Sequence, residues 1–243
     1  MASTSSPRTR PLVALRALAA LSADPDDLPK VFTIIDNLPG RAPARMLERL
    51  RASDEGRRLL AAKPDLAARL ADRAALRALP DGTLGRAYVE LVEREGITPQ
   101  GIIDASVAGK TSEETLSEDH RFMGDRMRDS HDLWHVVTGY RTDLVGEAAL
   151  LAFSYAQTKT PGVGLIVALA FLKGDRPIWR LLVDGYRRGR SAEWLPAVAW
   201  EALLDRPLDE VQARMRIGAP PQYEPVTSAE LRESGVLAPR AAA

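Results

Sequence analysis

The 243-residue chain has no cysteine. Disulfides, thiolate catalysis and sulfur-ligated zinc are thereby excluded, and His, Asp and Glu remain as its only strong metal ligands. It has no net charge either, because 33 lysines and arginines balance 33 aspartates and glutamates. Without a global basic field nothing gathers nucleic acid from a distance, and no nucleic-acid partner is expected. Long hydrophobic runs are also missing, since none approaches the roughly 18 to 20 residues of a membrane span. The nearest, "PGVGLIVALAFL" over 161–172, is bounded by Pro161 and Lys173. It suits a buried core helix; the other reading is a wall for a greasy ligand or a contact with a membrane surface. A cysteine-free chain suits a reducing cytoplasm, which is the expected location.

What is present is a composition able to fold. At 45% hydrophobic residues the chain can bury a sizeable core. Ala, Leu, Arg and Glu dominate, and apolar residues recur at helical spacing in "LVALRALAALSA" and, with an interruption at Pro64 and Asp65, in "SDEGRRLLAAKPDLAARLADRAAL". The expectation is an all-α protein, a single-domain helical bundle, with helices near 85–94, 118–138, 143–159, 179–187, 192–204 and 208–215. Pro80-Asp81-Gly82 marks a turn, and Pro220-Pro221 an exit into extended chain. The first acidic residue is Asp24, so the start has the composition of a transit peptide, although an Ala- and Arg-rich chain produces such stretches by itself. Residues 1–10 are expected as a disordered tail, 11–225 as the helical domain and 226–243 as a C-terminal tail.

Two of the three histidines fall four apart in "DSHDLWHVVTGYRTDLVGE", residues 129–147. On a helix His131 and His135 share a face, the spacing by which one ion takes two imidazoles; a bare pair of this kind is equally two hydrogen-bonded core histidines. Glu147 joins them only if the chain turns, because an unbroken helix would carry it about 18 Å past His135. Gly139 can end the first helix, and Thr142 or Asp143 can cap the second. The resulting hairpin returns Glu147 towards His135, with Gly146 permitting close approach of the two helices. His120 lies about 16 Å from His131 along one helix and is left out of the shell. Asp132, about 100 degrees round from His131, is a further ligand, an acceptor orienting an imidazole, a proton carrier or a solvated charge. Two His and a carboxylate leave coordination positions open, an arrangement suited to catalysis by either iron or zinc.

The pattern His-Asp-x-x-His, eleven residues, then Glu resembles the coenzyme Q biosynthesis protein 4 family of the ubiquinone pathway. "LPDGTLGRAYVEL", "DRMRDSHDLWH", "GEAALLAFSYAQT", "YRRGR" and "WEALLDRPLDEVQARMRI" extend the likeness in the same order over about residues 12–225. The stretch "GIIDASVAGKTSEETLSED" departs from it. The resemblance implies a divalent metal at His131, His135 and Glu147, with Asp132 beside them. It further implies a polyprenylated aromatic quinone precursor, other ubiquinone-biosynthesis proteins as partners and attachment to the inner membrane face. The implied activity is oxidative decarboxylation with hydroxylation at ring C1; the alternative is a non-catalytic lipid-binding organiser. A homodimer stays open. Arg126 and Arg128 are candidates to grip the ring carboxylate, with Arg128 and Asp132 taken as catalytic. Tyr140 and Gln157 are further substrate-binding candidates, while Phe153 suits core packing. A hydrolase is disfavoured, since a zinc peptidase needs Glu where this chain has Asp132.

Overall fold

The computed structural model of the chain describes residues 8–111 and 116–239. Most of the expected tail over 1–10, the end of the expected C-terminal tail and four residues within the departing stretch 101–119 lie outside the described residues. Fifteen α-helices form among the described ones, and no strand. They are α1 Pro11–Ala23, α2 Leu28–Asn37, α3 Ala42–Ala52, α4 Asp54–Ala62, α5 Leu66–Ala71, α6 Arg73–Arg77, α7 Leu84–Glu95, α8 Pro99–Gly109, α9 Glu118–Asp129, α10 His131–Thr138, α11 Leu144–Thr158, α12 Pro161–Lys173, α13 Arg176–Ser191, α14 Leu208–Arg214 and α15 Ser228–Glu233.

Local chemistry sets most of these boundaries. The side chains of Ser53, Asp65, Asp72, Thr98, Asp143 and Asp175 accept amides from the first turns of α4, α5, α6, α8, α11 and α13. Prolines open α1, α2, α3, α8, α12 and α13, where a missing N–H costs nothing. Lys63, Gly96, Gly139 and Lys159 close α4, α7, α10 and α11 in the left-handed conformation.

The main core is built by α7, α10, α11 and α13 with the segment after α13. Tyr88, Val92, Leu133, Trp134, Leu150, Phe153, Trp200 and Leu204 are its large buried members. α11 and α13 pack closely through glycines. A Cβ at Gly185 would meet the Ala149 carbonyl at 2.6 Å, and one at Gly189 the Phe153 carbonyl at 2.5 Å. A second cluster joins α3 to Met123 of α9, and a third joins α1, α2 and α12.

Four expectations change. The helix foreseen over 118–138 divides at Ser130, whose N–H reaches the Arg126 carbonyl at 3.0 Å before α10 begins at His131. The helix foreseen over 192–204 is two 3₁₀ turns, Leu195–Ala197 and Trp200–Ala202. There Gln157 takes the Leu195 N–H on its side-chain oxygen at 2.9 Å and the Trp194 indole N–H on its carbonyl at 3.1 Å, so bonds from α11 compete with continuous helix. α12 is a helix but not a core one, for only Gly162, Val163 and Ile166 are buried and Leu172 is 82% exposed. Within the expected C-terminal tail, α15 is anchored by a Thr227–Glu230 capping box and by Arg232, which binds Asp24 and Asp26 at 2.6 and 2.8 Å.

Candidate metal centre

α10 carries both histidines, one at its first residue and one in its last turn. Gly139 ends the helix at φ 74°, its N–H on the His135 carbonyl, with Pro220 packed where a side chain at 139 would stand. The chain reverses, and Asp143 caps α11 by accepting the Val145 and Gly146 amides at 3.0 and 3.2 Å. Glu147 therefore lies one turn into α11, facing back towards α10. The hairpin is strapped from the C-terminal segment. The Tyr223 hydroxyl donates to Asp143 Oδ2 and accepts the Arg141 N–H, both at 2.9 Å, while the Val226 N–H reaches Asp143 Oδ1. Gly146 makes room for the Arg141 carbonyl and the Tyr223 hydroxyl, rather than for a close crossing of two helices.

The ligand atoms of His131, His135 and Glu147 converge, all within 4.8 Å of one another. His135 Nε2 stands 3.2 Å from His131 Nε2 and 3.1 Å from Glu147 Oε1, and His131 Nε2 is 3.4 Å from Glu147 Oε2. His135 Nδ1 lies 3.0 Å from the Tyr140 carbonyl. A carbonyl only accepts, so Nδ1 donates and, in the neutral ring, Nε2 turns a lone pair on the other ligands. Lone pairs and a carboxylate crowded together require a positive charge among them, a proton or a metal ion. Bridging the imidazole's far nitrogen to a backbone carbonyl is how metal-binding histidines are oriented, so the donor set fits a divalent metal.

The electrostatics agree. Burial alone would raise the Glu147 carboxyl, yet the His135 charge and hydrogen bonds from both imidazoles hold it well below the usual carboxylate range. Burial would lower His135, yet Glu147 and the Tyr140 carbonyl raise it. Asp132 is buried and pushed up, chiefly by that burial, against the pull of both histidines. His135 is sealed at 1% side-chain exposure, whereas His131 and Glu147 keep 28% and 37%. The set thus opens on one side, as a substrate-accepting site must.

Asp132 sits beside the convergent set without joining it. His120 bonds Ser117 Oγ at 2.7 Å at the start of α9, outside the shell as expected. Arg126 is buried, with its guanidinium on Glu201 at 2.8 Å and on the Val198 carbonyl at 2.7 Å. Arg128 is held by Asp125 and Asp129 at 2.9 and 2.8 Å. Gln157 spends its amide on the Gly189 carbonyl and the Leu195 N–H. Tyr140 is buried under Arg188, 4.9 Å from guanidinium to ring centroid, and meets the centre through its carbonyl. Phe153 packs edge-on to Trp134 in the core, as expected. Sequence reasoning missed Glu95, which accepts from Arg94 Nε at 2.8 Å and feels the charge of His135. It also missed Tyr223 and Arg188, because no spacing rule links any of the three to the motif.

The model of the family described as coenzyme Q (ubiquinone) biosynthesis protein Coq4 matches residues 11–221. A ubiquinone biosynthesis protein coq4, mitochondrial, of Talaromyces stipitatus is 32% identical over 75% of this chain and 62% of its own length. The protein of the same name from Pyricularia oryzae is 33% identical over 73% of this chain and 58% of its own length. The chain thus spans about three fifths of the curated relatives it matches. A crystal structure from Nostoc punctiforme, titled for ubiquinone biosynthesis, superposes with a TM-score of 0.63 over 86% of this chain and 96% of that one. At 23% identity it speaks for the fold.

Proposed function

The chain belongs to the family of the coenzyme Q (ubiquinone) biosynthesis protein Coq4, and we propose that it acts there as a metal-dependent oxidative decarboxylase. Its substrate on this reading is a polyprenylated benzoate-type precursor. The bond from ring C1 to the carboxyl breaks with loss of CO₂, water supplies the oxygen of the new C1–O bond, and O₂ takes the two electrons and two protons released and leaves as H₂O₂. The observation that carries the reading is the convergence of two Nε2 atoms and the Glu147 carboxylate behind the Nδ1–carbonyl bond of His135. A bound divalent metal would supply Lewis acidity at its open positions, and iron, unlike zinc, would also supply electron transfer to oxygen. Asp132, buried with its pKa raised, is suited to hold a proton beside the reacting ring. Arg128 can take the ring carboxylate by releasing Asp125 or Asp129. Arg126, Tyr140 and Gln157 serve as supports, since their polar atoms or rings already engage the protein.

The second reading, a lipid-binding organiser working with other ubiquinone-biosynthesis proteins, is favoured by one corner of the surface. Phe171 and Trp179 stack at 5.3 Å, with Leu172 and Val183 exposed beside them and Arg176, Arg180 and Arg187 around them. None of the helices is long and apolar enough to cross a membrane among the described residues. Aromatic and aliphatic tips framed by arginines suit the interface of a bilayer. Elemental analysis of the purified chain beside the His135→Ala, Glu147→Ala double variant tests the first reading. Stoichiometric iron in the parent, none in the folded variant and oxygen-dependent release of CO₂ from the prenylated acid are expected. Parent protein without metal, or equal turnover by the variant, would overturn it.

A further inference from the structure

Beyond the ligands, the geometry points to Arg188 as a positioning residue of the centre, an assignment whose consequence for metal binding rests on the reading above. Its guanidinium reaches across from α13 to the end of α10. Nη2 donates to the Thr138 carbonyl at 2.8 Å and to the Gly218 and Ala219 carbonyls at 3.2 and 3.3 Å. The same group lies over the Tyr140 ring, 4.9 Å from its centroid.

Those contacts enclose the short stretch that decides how His135 is held. Thr138 is the last residue of α10, Gly139 follows in the left-handed conformation against Pro220, and Tyr140 presents the carbonyl that accepts from His135 Nδ1. Arg188 thus fastens the residue before Gly139, the ring of the residue after it and the two residues before Pro220. With both flanks fixed, the Tyr140 carbonyl has one direction to point. While it points at Nδ1, the proton stays there and Nε2 keeps its lone pair for the centre. The planar guanidinium can stack and donate to several carbonyls together, which an ammonium group cannot. Arg188 acts through Tyr140 and touches no ligand of the centre.

Isotope-labelled imidazole nitrogens test this in the metal-free full chain at mildly alkaline pH, where only three histidines need assigning. The parent is expected to hold His135 in the Nδ1–H form, and Arg188→Met to mix in the Nε2–H form. Cobalt(II) affinity, read by chelator competition, is then expected to fall roughly 10- to 100-fold, the usual effect of losing a group that orients a ligand. Arg188→Lys should give an intermediate tautomer ratio and affinity, and it decides the matter if the methionine variant does not fold. Arg232→Met, which breaks the distant contacts to Asp24 and Asp26, should change neither reading. Parent-like tautomer and affinity in folded Arg188→Met, or in Arg188→Lys if that alone folds, would overturn the assignment. Should the parent bind no cobalt, the metal reading falls by itself, and the tautomer ratio still decides the role of Arg188.

Discussion

Replacing Gly146 by Ala sets two effects of opposite sign against each other. In an ordinary helix the change gains about 1 kcal/mol from propensity. At this position the new methyl would collide with the Arg141 carbonyl and the Tyr223 hydroxyl. The hydroxyl can give way only by surrendering its bonds to Asp143 and the Arg141 N–H, each 2.9 Å long. A bond to a carboxylate contributes about 1.5–3 kcal/mol and one to a neutral amide about 1 kcal/mol. The Arg141 carbonyl is backbone and yields only if the turn shifts. The net expectation is destabilisation of about 2 kcal/mol, which in a chain of this size is a melting temperature lower by about 4–8 °C. Urea unfolding in the presence of a chelator reads the stability, and metal titration shows whether Glu147, the next residue, has moved. A variant more stable than the parent, by the propensity gain alone, would refute the packing argument.

Other outcomes are equally specific. Metal affinity should drop as pH falls through the raised pKa of His135, because the proton and the ion compete for Nε2; chelator competition across pH that stays flat there would contradict it. In metal-free protein the signs separate: His135, raised on folding, stabilises below its unfolded pKa and loses that contribution as pH rises through its folded one. Glu147, depressed on folding, stabilises above its unfolded pKa and loses that contribution as pH falls. Unfolding curves should therefore show the chelated protein losing stability on the alkaline side, where the metal-loaded protein gains it. Arg126→Met strands Glu201 and should cost about 3 kcal/mol in urea unfolding. Gly189→Ala forces α11 and α13 apart at the Phe153 carbonyl and should cost about 1–3 kcal/mol by the same assay.

The hairpin was legible because its signals are local. The i, i+4 histidines, the left-handed Gly139 and the capping Asp143 each act within a few residues, and together they require Glu147 to return. The break at Ser130 was not legible, since the residue itself stays nearly helical at φ −84° and ψ −4°. The segment 192–204 misled because its apolar spacing is helical while Gln157, distant in sequence, takes the bond that decides its form. Glycine at 146 was recognised as a device for close approach, but what approaches it, Tyr223, comes from the far end of the chain. Arg126 looked like a substrate contact from its proximity to the motif, and Gln157 from its place in the family resemblance. Folding turned their polar groups onto Glu201, Gly189 and Leu195, partners that no pattern around the motif names.

The strap formed by Tyr223 and Val226 has a consequence for the order of synthesis. Both histidines and Glu147 leave the ribosome well before the residues that fix the turn between them. Until Tyr223 arrives, Asp143 Oδ2 has no hydroxyl to hold, and the turn before α11 rests on the helix's own cap alone. Residues made after the three candidate ligands therefore complete the frame around them, and any ion taken there would be held in its final geometry only once Tyr223 and Val226 are in place.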